Sequence, residues 1–200
     1  MILALISLLI ITTYVGVMIF KTKGIPYSIS DTYYSLLHNY WFGACMIGTA
    51  LLLLPASLDA STENSQFLIF LSVVGMGILG VSPNFKGSQK TAHVTGAAMT
   101  LVFSQIWVGC NSWYWLLLWA GFIVYIVIEM KRNWTGHIIS DFIKCKPMFW
   151  VEVIALLTVY LSVIINTIWV AFKKKVIQLK KRILFCVNES KNETKCFVEL

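Results

Sequence analysis

The chain has 200 residues, of which 58% are hydrophobic and only 12% charged, with a formal net charge of +7. Roughly twice that charged fraction is usual in a soluble domain, so an ordinary water-soluble globule is excluded and the excess apolar surface must meet lipid. The bases sit at the ends of apolar runs, where they set topology or meet anionic headgroups; nucleic acid is not the expected partner.

The first apolar run, 2–20, lacks a basic n-region and reads as a retained helix rather than a cleaved signal peptide. Runs over 40–58, 67–83, 94–110, 113–129 and 148–172 follow, each near the roughly 20 residues that a hydrocarbon core requires. The expected fold class is all-α: a polytopic integral membrane bundle of six transmembrane helices over 1–172, with a basic, partly amphipathic tail over 173–200. Residues 94–129 would overshoot the bilayer as one helix, so the turn formers Gly109, Cys110, Asn111 and Ser112 should reverse the chain. Pro83 should end the third helix and Pro147 should open the sixth, where a missing N–H is tolerated.

Small residues gather in three spans: Gly43, Ala44 and Gly48; Gly75, Gly77 and Gly80; Gly96, Ala97 and Ala98. They predict close helix packing, with a substrate groove as the sharper alternative. Among polar residues within the spans, Gln105 and Asn166 should hydrogen-bond between helices. Glu152 is the costliest to bury; it is interfacial, or pairs with a base from a neighbouring loop, or carries protons.

Orientation signals conflict. Loops 1, 3 and 5 hold Lys21, Lys23, Lys86, Lys90, Lys131, Arg132, Lys144 and Lys146, whereas loops 2 and 4 hold no Lys or Arg. Six crossings then place the dense cluster Lys173, Lys174, Lys175, Lys180, Lys181 and Arg182 opposite those loops. The density of the tail cluster favours cytoplasmic termini. Within that tail Val176, Leu179, Ile183 and Val187 share a helical face, as in a helix lying on anionic lipid or one that merely frays out of the bilayer. Asn133, Asn188 and Asn192 begin glycosylation-type triplets.

No phosphate loop, zinc-protease helix or serine elbow is present. The five cysteines form no metal pattern, and no cofactor is expected. Should the chain be an enzyme, the candidates are Asp31, His93, His137 and Asp141. With His38 these belong to loops 1, 3 and 5 or their edges, which parity places on one side. Three histidines with carboxylates can bind zinc and activate water, yet none has helical ligand spacing, so no metal site is assigned. Asp31 and His93 are expected close together, the carboxylate accepting a hydrogen bond from the imidazole or from Lys86.

Two stretches carry a family resemblance. Ile29, Ser30, Asp31 and Thr32, followed by Phe42-Gly43 opening a helix, are one; Asn84 and Phe85, followed by His93, Gly96 and Ala97, are the other. Together they resemble the Frag/DRAM/Sfk family, the damage-regulated autophagy modulator group of six-helix membrane proteins, over about residues 24–130. Tyr33, Tyr34 and the inserted Ser28 depart from its pattern. The resemblance implies a small protein of lipid handling or membrane organisation without established catalytic machinery. Some relatives remodel lipid anchors, which keeps an enzymatic alternative open.

The expected function is thus that of a non-catalytic, multi-pass membrane protein whose loop 1, 3 and 5 face meets membrane lipids or a membrane-protein partner. A lipid hydrolase using the His/Asp cluster is the alternative, and a small-solute transporter the third.

Overall fold

A computed structural model describes residues 1–198, with side chains through Lys180. The described residues are 83% helical and contain no strand. Five stretches are long and apolar enough to cross a membrane: Ile2–Lys21, Tyr40–Asp59, Glu63–Val81, Lys90–Arg132 and Pro147–Lys180.

The helices are α1 (Ile2–Lys21), α2 (Tyr40–Asp59), α3 (Gln66–Val81), α4 (Lys90–Ser112), α5 (Leu118–Arg132), the short α6 (Ile138–Lys144) and α7 (Pro147–Val198). Ser82 leaves helical geometry just before Pro83, and Pro147 is the first residue of α7, as the prolines dictate. Lys146, ahead of that proline, has a φ of 51°, in the left-handed region. Pro55 lies inside α2, towards its last turn, a position where an amide hydrogen bond is forgone.

The fourth and fifth apolar runs are continuous in hydropathy but not in backbone. The helix persists through Gly109–Asn111 and breaks at Ser112, whose φ and ψ of −160° and 57° lead into a 3₁₀ turn over Trp113–Leu117. The indole Nε1–H of Trp119 then donates to Oε1 of Gln105 at 2.9 Å. Fourteen residues of straight helix would put those positions about 21 Å apart, so the chain has turned back. The helix therefore breaks at Ser112, the last of the four turn formers, and the 3₁₀ turn after it completes the reversal.

The remaining connections define two ends. At one, Lys86 of loop 3 meets Asp31 of loop 1, while the amide of Phe149 at the start of α7 donates to the carbonyl of Tyr27. At the other, Asn111 at the end of α4 meets Thr62 and Ser65 before α3. Ser112 reaches Asn166, five helical turns along α7 from Pro147. Loops 1, 3 and 5 thus share one end of the bundle and loops 2 and 4 the other.

Glycines set how closely α2, α3 and α4 approach. A Cβ on Gly75 would lie 2.7 Å from the Thr100 amide nitrogen and 2.8 Å from the Gly96 carbonyl oxygen; one on Gly96 would meet Gly75 and Leu79 backbone at 2.8 Å. A Cβ on Gly43 would sit 2.5 Å from the Gly80 carbonyl oxygen. These four bring helix backbones into contact, the packing role expected of small residues between spans. Gly48 and Gly77 have open space and take no part.

Buried hydroxyls and amides tie the helices together. Ser7 of α1 donates to the Thr49 carbonyl of α2 at 2.8 Å. Its one proton is thereby used, so Tyr160 of α7, 2.6 Å away, donates to it. Gln105 links three helices, accepting from Trp119 and Thr158 and donating to the Ala155 carbonyl. With Asn166, it makes the interhelical bonds expected of neutral amides.

Helix α7 continues unbroken past residue 172 through Lys180. The Ile183 and Val187 positions, the triplets at Asn188 and Asn192, and Cys186 and Cys196 lie outside the residues with described side chains.

Candidate functional site

Loop 1 is the organising element. Its 3₁₀ turn, Ser30–Ser35, begins where the Ser28 hydroxyl accepts from the Asp31 amide at 3.0 Å. Thr32 donates to the Ile29 carbonyl at 2.6 Å, leaving its oxygen to accept from Tyr14 of α1. The Lys146 ammonium donates to the Ile25 carbonyl. Loop 1 is therefore held from both sides, by α1 and by the segment entering α7.

Asp31 pairs with Lys86 at 3.1 Å rather than with His93. The same ammonium lies 4.7 Å from the Tyr34 ring centroid, a cation–π distance. Tyr34 donates to Asn84 Oδ1 at 2.7 Å and accepts from the Lys86 amide at 2.8 Å. Of the two partners foreseen for Asp31, lysine is the one in place. His93 is buried and turned the other way: Nδ1 lies 2.9 Å from the Ser82 carbonyl oxygen, and its ring lies 5.3 Å from that of Phe85. Phe85 in turn meets Tyr34 edge-on at 5.4 Å. The link between Asp31 and His93 is a chain of aromatic and amide contacts, not an acid–imidazole bond.

The other candidates stand apart. Asp141 is fully buried in α6 and accepts from the Thr135 hydroxyl at 2.6 Å, the Thr135 amide at 2.8 Å and Lys144 at 3.4 Å. Those bonds, led by the hydroxyl and then the amide, hold its carboxyl below the usual carboxylate range. Thr135 closes the triplet begun by Asn133, so that hydroxyl is committed. His137 is exposed at the N-terminus of α6, and His38 is exposed against the Tyr40 ring. Among the described residues no three His, Cys, Asp or Glu side chains gather as a metal site would require.

Glu152, one turn into α7, is the polar centre that the fold creates. Its Oε2 accepts from the Ile29 amide, and Oε1 lies 3.4 Å from the Ser30 hydroxyl. It thus receives the start of the loop 1 turn, much as an acidic cap receives a helix start. A basic loop side chain was one expected partner; a backbone amide is the observed one. That partner carries no signature in the amino-acid type of residue 29.

Beneath this carboxylate lies a cavity of about 120 Å³ between α2, α3, α4 and α7. Phe42 and Leu53 mark its extent along α2, about 16 Å at 1.5 Å per residue. Met46, Met76, Leu101 and Leu156 supply much of the wall, with Glu152 and Ser30 at the end nearest loop 1. The wall hydroxyls are spent on carbonyls of their own surroundings: Ser72 on Thr100, Thr100 on Gly96, and Ser104 on Leu101. The arrangement is an apolar chamber with a carboxyl group at one end. No protein family, curated protein or solved structure matches the chain.

Proposed function

We propose that the chain is an integral, multi-pass membrane protein that crosses the bilayer six times and handles or organises membrane lipid, without catalysis, through its loop 1, 3 and 5 end. The observation that carries this reading is the placement of apolar surface. Large apolar side chains stand exposed on the outer surface of every long helix, among them Leu9, Leu51, Phe67, Val102, Ile123 and Ile168, while buried polar groups bond inward. Water would make such a surface costly, and hydrocarbon is its natural surroundings. Five apolar stretches give six crossings because Lys90–Arg132 folds back after Ser112.

The lipid-facing role rests on the bases collected around loops 1, 3 and 5 and on the interior cavity that reaches the same end. A membrane-protein partner could occupy the same face. The Frag/DRAM/Sfk resemblance supports the same class of role. Its motif residues divide the work: Ile29, Ser30, Asp31 and Thr32 build the turn, Asn84, Phe85 and His93 receive it, and Gly96 seats α4 on α3.

Single cysteines in a background with the five native ones replaced test the topology. Glu63→Cys and Lys175→Cys should label from one side of sealed vesicles, Lys23→Cys and His137→Cys from the other. Residues 63 and 175 labelling from opposite sides would overturn six crossings. Release of the protein from membranes by carbonate without detergent would overturn the membrane reading itself.

A further inference from the structure

We infer that the interior cavity is a binding site for an alkylammonium group, with the cation on Glu152 and its carbon chain running into the chamber between α2, α3, α4 and α7. This inference rests on the membrane reading above and specifies the chemistry of the ligand.

The head-group preference follows from what Glu152 lacks. An ionised carboxylate offers about four acceptor positions, and here the protein supplies the Ile29 amide and the longer contact to Ser30. Acceptor capacity is left over on a side chain that lines the cavity. Asp31, Glu129 and Asp141 each have a basic partner, namely Lys86, Arg132 and Lys144. None of these ion pairs includes Glu152, and the Lys146 ammonium is bonded to the Ile25 carbonyl instead. Inside an apolar bundle, with no counter-ion among the described residues, this carboxyl is costly to ionise, and a ligand cation that donates hydrogen bonds to its free positions favours the ionised form. A carboxylate or phosphate head would be repelled, and an alcohol would bring one donor but no charge.

The chain preference follows from the walls. The cavity is somewhat smaller than the cavity of about 150 Å³ that takes up benzene, so four to six carbons is about the fitting length. Met46 and Met76 can adjust to a longer chain. The wall hydroxyls keep neutral acceptor positions, but the one acidic side chain of the lining is Glu152, beside Ser30, and its carboxyl orients a cationic head to that end. The same chemistry could come from a free aliphatic amine or from the head of a long-chain base.

Purified protein in nanodiscs should be dialysed against radiolabelled hexylamine, hexan-1-ol and hexanoate, with empty discs subtracted. Hexylamine should saturate one site per chain and bind about tenfold more tightly than the alcohol, the effect of one charge-assisted hydrogen bond, with hexanoate not retained. Glu152→Gln keeps an oxygen for the Ile29 amide and should erase the preference while leaving the alcohol's affinity unchanged. Ala155→Leu, which fills the chamber, should weaken amine and alcohol together. Dodecylamine distinguishes the sources: tighter binding than hexylamine indicates a long-chain base, weaker binding a small amine. Equal affinity for amine and alcohol in the unaltered protein, or no retention of either, would overturn the inference even if Glu152→Gln failed to fold. The cysteine-labelling pattern would survive those failures, so this inference and the membrane reading fail separately.

Discussion

The two ends of the bundle are built by different chemistry. At the loop 1, 3 and 5 end the ion pairs Lys86–Asp31, Arg132–Glu129 and Lys144–Asp141 lie among bases, and glycine contacts bring backbones together just beneath. At the loop 2 and 4 end the cohesion is neutral. Asn111 accepts from the Thr62 amide and donates to Ser65 and the Trp107 carbonyl, while Trp107 donates to Ser61 at 2.7 Å. Charged contacts near a surface respond to salt and pH, whereas amide and indole bonds do not. One end is therefore adjustable by its surroundings and the other is a fixed clasp.

The largest effect should come from removing the backbone contact beneath the charged end. Gly96→Ala forces a methyl group to 2.8 Å from two backbone atoms and should cost about 3 kcal/mol, the upper part of the range for overpacking. Gly77→Ala, facing open space, should be neutral or slightly stabilising. Reversible unfolding in mixed detergent checks both; equal losses would mean that the α3–α4 approach is looser than the glycines imply.

Next come the polar centres of the two ends. Asn111→Ala removes the clasp between α4 and the segment before α3, although Ser65 keeps its bonds to Thr62, and should cost roughly 1–2 kcal/mol, with no dependence on salt or on pH between 4 and 8. Asp141→Asn should cost less and behave differently with pH. Its carboxyl is held below its ordinary value in the folded chain, so the unfolded chain takes up the proton more readily. The stabilisation is complete above the ordinary carboxylate range and disappears as pH falls through the lowered folded value. The stability gap between the unaltered protein and Asp141→Asn should therefore narrow on acidification from pH 7 to pH 3; a constant gap would remove the distinction between the ends.

The smallest effect should belong to Lys86→Gln. The lysine is mostly exposed, so the loss should be about 0.5 kcal/mol at low salt and should fade by 0.5 M salt. A loss that persists in high salt would assign the contribution to packing on Tyr34 instead.

Much of the fold could be read from the sequence because hydropathy reports helices directly. The first four apolar runs lie within a few residues of α1 to α4, whereas α5 begins five residues after the start of the fifth run and α7 continues well past 172; parity alone placed loops 1, 3 and 5 together. The exact reversal was harder, since Asn111 looks like a turn former by type but spends its side chain inside the bundle as a clasp. The candidate site was legible only in part. Glu152 stood out by its cost, and Lys86 was a named partner for Asp31. The Ile29 amide, the Ser7–Tyr160 bond and the Trp119–Gln105 bond depend on three-dimensional placement and leave no pattern along the chain. The histidines stand out by type, yet His38 lies against Tyr40, His93 against Ser82 and Phe85, and His137 is exposed.

The loop 1 turn is held by a residue 123 positions downstream of Ile29, whereas the backbone contact of Gly75 with Gly96 joins helices adjacent in the chain. Synthesis from the N-terminus makes these contacts available in a set order. Once α4 has emerged, α3 and α4 can dock as a pair, while the turn beginning at Ile29 must wait for α7. In the nascent protein that helix pair can therefore be in place while the chamber still lacks the wall and the carboxyl end that α7 supplies. Arrival of α7 supplies Glu152 to the loop 1 turn together with Ala155, Leu156 and Val159 to the chamber wall.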